Sequence, residues 1–126
     1  MSIVTRLHID VLVVRLPWRW ALPARRRTVR LPLEFVDEVR VEPHWWRAVR
    51  PHPAPGYRFR PGRWCVGEIE HAHGRHFVAV RAQGPVLVVS TFGRDAPYAR
   101  LALSTADPEG DAARLRTVAA QGVDKN

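Results

Sequence analysis

TADPEGDAARLRTVAA, residues 105–120, decides between two architectures. Asp107 is placed to cap a helix, because its carboxylate can accept a backbone N–H of the first turn. Pro108 suits the first helical position, and Glu109 and Asp111 lie where the helix dipole is positive. Ala112, Leu115, Val118 and Ala119 recur at helical spacing and form one apolar stripe. The pattern predicts a single amphipathic helix at the end of the chain, followed by a frayed tail over 121–126.

Upstream the apolar period is two. Residues 3–16 read as one strand that begins half-exposed, with Leu7, Ile9, Val11 and Val13 on one face, and becomes two-sided once Leu12 and Val14 join. Pro17 and Pro23 bracket the loop that follows, and RTVRL, residues 27–31, returns as a second strand ended by Pro32. LPLEFVDEVRVEP contains a short turn and then a strand from about Glu38 to Glu42, where Val39 and Val41 alternate with charges. Residues 43–63, PHWWRAVRPHPAPGYRFRPGR, read as an irregular Pro/Trp-rich insert. The second half is cleaner: WCVGEIE (64–70), the turn HAHGR, HFVAVR (76–81), VLVVST (86–91) and YARLALS (98–104).

The sum is about seven mostly antiparallel strands and one C-terminal helix, a mainly β (α+β) chain. Hairpins without crossover helices exclude a Rossmann or (β/α) barrel enzyme. Seven strands alone would suggest an immunoglobulin-like sandwich. The terminal helix argues instead for a small, partly open barrel plugged at one end. A chain of 126 residues, 46% of them hydrophobic, is read as a single domain over 1–126.

Charge is unevenly distributed. Residues 1–63 carry 13 arginines against 5 acids, whereas residues 64–126 are neutral overall, so the formal net charge of +8 belongs to the first half. Such asymmetry points to an anionic partner. The one cysteine, Cys65, rules out an intramolecular disulfide or a thiol zinc knuckle. The run VLVVRLPWRWAL is interrupted by Arg15 and Arg19 and does not read as a signal peptide. The expected location is cytoplasmic, or peripheral at the inner face of the membrane.

The wording of LPLEFVDEVRVEP, PGRWCVGEIE, GRHFVAVRAQGPVLVV, APYARLALSTADPE and AARLR resembles small actinobacterial pleckstrin-homology-like (PH-like) proteins of unknown function, over about residues 28–118. The resemblance implies a seven-stranded superbarrel capped by a C-terminal helix. It implies no particular ligand, since PH-like domains bind lipid headgroups, peptides or proteins. The first hairpin has no lysine, which argues against phosphoinositide recognition in particular.

Two regions carry interaction chemistry. In PWRWALPARRR and just beyond it, Arg19, Arg25, Arg26, Arg27 and Arg30 can make forked contacts to phosphate or carboxylate, while Trp18 and Trp20 suit a bilayer interface or an exposed base. The alternative is that the tryptophans fold over the open barrel end and the arginines are solvated. In the insert, Trp45 and Trp46 are adjacent, so in extended chain they face opposite sides. One of them beside Arg47 and Arg50 would make an interface anchor, unless both pack beneath the loop.

Catalytic signatures are missing from the sequence: it has no G-x-S-x-G, no H-E-x-x-H and no phosphate-cradling glycine loop. His71, His73 and His76 sit around a tight turn that splays its side chains, and no metal or cofactor is expected there. The expected function is that of a non-catalytic interaction module, binding a protein partner or itself through a strand edge or the Trp/Arg loops. Anionic-lipid binding through residues 17–30 is the alternative, and single-stranded nucleic acid ranks third.

Overall fold

A strand at the centre of a sheet must bury both of its faces, and the run Val86–Val89 has the four consecutive apolar side chains this needs. The computed structural model describes residues 4–8, 11–16, 28–44, 57–60, 64–71, 74–81, 84–93 and 95–124. Among these, the elements in chain order are β1 (Val4–His8), β2 (Val11–Arg15), β3 (Thr28–Pro32), a 3-10 turn (Leu33–Phe35), β4 (Val36–Glu42), β5 (Tyr57–Arg60), β6 (Trp64–His71), β7 (Gly74–Arg81), β8 (Val86–Thr91), β9 (Arg100–Leu103) and α1 (Pro108–Asp124).

Among the described residues the fold is mainly β, with two sheets and a C-terminal helix. A three-stranded sheet has the order β1-β2-β3, and a six-stranded sheet has the order β4-β8-β9-β7-β6-β5. The sequence reading expects a partly open barrel; the described residues form two sheets and no closed barrel. The strand count also rises to nine among the described residues, for two local reasons. The long first strand is a hairpin in which His8 pairs with Val11 and Leu7 with Leu12. The hairpin moves the apolar positions from odd to even numbers, which in a continuous strand reads as burial on both sides. The second addition, β5, lies inside the segment read as irregular. One pairing departs from the antiparallel pattern: β9 inserts between β8 and β7 and runs parallel to β7, with His76 opposite Arg100 and Ala79 opposite Leu103.

The inner strands of the six-stranded sheet are buried on both faces. One face contributes Val39, Val66, Phe77, Ala79, Leu87, Val89, Leu101 and Leu103 to a core that also holds Leu12, Val14, Val29 and Leu31 from the small sheet and Leu16 just after β2. Ala112 and Leu115 of α1 join this core, with Val118 packed against it. The opposite face buries Cys65, Val78, Val80, Val86, Val88 and Ala102. In β4 the register slips between Val36 and Glu38. This bulge lets Val36 and Val39, three apart, both reach the core face.

Tyr98 ties the β8–β9 connection to the sheet. Its ring meets Phe77 edge-on at 6.0 Å, its hydroxyl donates to Glu68 at 2.9 Å, and its carbonyl accepts from the Thr91 hydroxyl at 2.6 Å. Arg75 lies 4.0 Å from the same Glu68 carboxylate. Gly74 opens β7 with φ +127°, and a Cβ there would lie 2.9 Å from that of Ala99, so only glycine fits. His71 belongs to the end of β6, opposite Gly74, rather than to the turn itself.

The helix begins as its sequence predicts. Asp107 Oδ1 accepts the Gly110 N–H at 3.1 Å, and its carbonyl accepts the Asp111 N–H at 2.9 Å. Asp107→Ala is expected to lower stability by about 1 kcal/mol, whereas Asp107→Asn retains most of it. Urea denaturation of the three proteins checks this, and an unchanged midpoint in the alanine variant would contradict the cap.

Candidate interaction edge

Every open sheet ends in strands with one unpaired side, and these edges are where a chain can be extended. In the six-stranded sheet the edges are β4 and β5. Among the described residues β4 pairs only with β8, through Glu38–Ser90, Val39–Val89, Arg40–Val88, Val41–Leu87 and Glu42–Val86. In an antiparallel ladder the N–H and C=O of one residue point to the same side, and alternate residues point to opposite sides. The carbonyl of Val39 accepts a hydrogen bond at 2.9 Å from Nε of Arg116 in α1. Val39 and, by alternation, Val41 thus turn their backbone groups away from β8, while Glu38, Arg40 and Glu42 turn theirs toward it.

Local sequence places each part of this edge. Val39 is buried and Val41 partly buried in the core beneath α1, so β4 is held rigidly from one face. The other face carries Glu38 and Arg40, both exposed, and Glu42, which is buried. Arg40 Nη1 lies 3.8 Å from Glu42 Oε2. Asp37, at the bulge, is also exposed. Leu115 is directed into the core, so the next helical residue, Arg116, is turned about 100° around the axis and reaches β4.

At the start of β4 lies an aromatic corner. The Phe92 N–H donates to the Phe35 carbonyl at 3.0 Å, and Phe92 is 56% exposed, the large hydrophobic residue that projects from the described surface. Gly93 follows with φ +95° beside the Phe35 ring. A basic side chain bonded to a strand-edge carbonyl, an alternating charged face and an exposed phenylalanine together can receive an extended peptide segment.

The sequence-predicted residues fall differently. Arg30 lies on β3, exposed, opposite Val13, and β3 is an edge of the small sheet. Trp18, Arg19, Trp20, Arg25, Arg26, Arg27, Trp45 and Trp46 lie outside the described residues, as does His73. Among the described residues no group of three His, Cys, Asp or Glu side chains converges to hold a metal ion. No helix among them is long and apolar enough to cross a membrane. Sequence reasoning passed over Arg116 and Phe92. The pattern VDEVRVE marks a strand with a charged face, but not which strand of the sheet lacks a neighbour.

Cys65 belongs to the buried opposite face, and burial pushes its thiol up to about 11 from 9.0. Because the folded value is raised, the associated stability is complete below pH 9 and is lost as pH rises toward 11. Cys65→Ala should therefore flatten the fall in stability across that window, measured by denaturation at a series of pH values. Native Cys65 should also resist thiol reagents at neutral pH until the chain unfolds. A modification rate equal to that of the unfolded chain would contradict its burial.

In comparisons with known proteins, no family model matches the chain, and neither the curated proteins nor the solved structures include a match.

Proposed function

We propose that this protein is a PH-like, non-catalytic interaction module whose binding element is the β4 edge. The PH-like reading is supported by the mainly β architecture of the described residues, with a C-terminal helix that follows the last strand and packs on the sheet. One observation carries the functional reading: among the described residues, the outward carbonyl of Val39 is bonded to a side chain, Arg116, and not to a neighbouring strand. An added strand can replace that bond, supplying backbone partners to Val39 and Val41. The exposed Phe92 at the end of the same edge provides an apolar contact for the incoming segment.

The test is selection of binding peptides from a random displayed library, followed by hydrogen exchange of the complex. Bound peptides should slow exchange of the Val39 and Val41 amides. Val41→Pro, which removes one outward N–H but no bond to β8, should cut affinity about tenfold or more. Replacing Arg25, Arg26 and Arg27 by glutamate should leave binding intact. Protection confined to other strands, or loss of binding only in the glutamate variant, would overturn the edge reading. Salt-reversible binding to anionic vesicles in place of peptides would favour the membrane alternative.

A further inference from the structure

We infer that the β4 edge pairs with the same edge of a second copy of this chain, antiparallel about a two-fold axis through Val39. The inference rests on the reading of β4 as an open binding edge and names its occupant. A two-fold antiparallel pairing must match the outward residues Val39 and Val41 with one another, which leaves three registers. When Val39 faces Val41 of the second copy, Arg40 faces Arg40 and Glu38 faces Glu42, so like charges meet throughout. When Val41 faces Val41, Val39 falls opposite Pro43, which has no N–H to give, and the charge pair uses the buried Glu42.

In the third register, Val39 faces Val39. Glu38 of each copy then lies opposite Arg40 of the other, giving two symmetric pairs of opposite charge. Both side chains are exposed in the single chain, and the Arg40 side chain keeps 45% of its surface. The two Val39 residues exchange both N–H···O bonds. Opposite charges therefore select a single register, as cross-strand pairs do within a sheet. Arg116 must first release the Val39 carbonyl, so it acts as a plug that self-pairing displaces.

Sedimentation velocity of the full chain over a wide concentration range tests this. Wild-type protein should show a concentration-dependent monomer–dimer equilibrium, which Arg116→Ala should shift toward dimer. Glu38→Arg alone and Arg40→Glu alone should each weaken the dimer about tenfold, by setting like charges opposite one another twice. The double variant, Glu38→Arg with Arg40→Glu, should restore it. Both positions are exposed, and circular dichroism checks that each variant folds. A monomer at every concentration in both wild type and Arg116→Ala would overturn the inference, as would a dimer indifferent to the charge swaps. If that monomer still bound selected peptides with Val39 and Val41 protected, self-pairing alone would fail and the edge would stand.

Discussion

Burial of Ala112 and Leu115 against the six-stranded sheet is the contact on which the rest of the arrangement depends. It closes the core face that the sheet shares with the small β1–β3 sheet, and it fixes the rotation of α1. With Leu115 directed inward, Arg116 is committed to the side on which β4 runs, and its guanidinium meets the Val39 carbonyl. A helix rotated by one residue would carry a different side chain to that edge. The packing that stabilises the domain thus also sets how its sheet ends.

The order of strands follows from the same economy of burial. β8, β9 and β7 carry consecutive buried apolar residues, Val86–Val89, Leu101–Leu103 and Phe77–Val80, and lie side by side inside the sheet, where both faces are covered. β4 alternates valines with charges, so only one of its faces can be buried, and it lies at an edge. The bulge near Asp37 adjusts this strand by one residue. It keeps Val36 and Val39 on the core face while the charged residues stay on the other, a correction that period-two reading alone would miss.

Much of this was legible in the sequence. The helix, its cap at Asp107 and the strands from Trp64 to Leu103 follow from periodicity and turn residues, because each depends on neighbours close in the chain. What was not legible depends on partners far apart. The β1–β2 hairpin looks like one strand because Leu7 and Leu12 exchange parity at the turn. The parallel β7–β9 pairing has no local signal, since it is set by β9 inserting between two strands that precede it in the chain. The candidate edge is hidden for the same reason. Val39 and Arg116 are 77 residues apart, and nothing near either one announces the other. The tryptophans and clustered arginines drew attention by composition, whereas the edge is a property of topology.

A side-chain plug differs in kind from the devices that close an edge permanently. A proline removes the donor, and a covering strand removes both donor and acceptor. Arg116 occupies one acceptor and leaves the outward N–H groups of Val39 and Val41 in place. The bond it makes contributes on the order of 1 kcal/mol net, because the released guanidinium is rehydrated. An incoming strand replaces that single bond with several backbone bonds, but it must first be ordered, which costs roughly 1–2 kcal/mol per residue. A flexible peptide bears this cost in full. A second β4 does not, because Val39 is already buried and its strand is already paired on the other side. Preorganisation therefore favours the same edge of another copy over an unstructured segment of similar sequence.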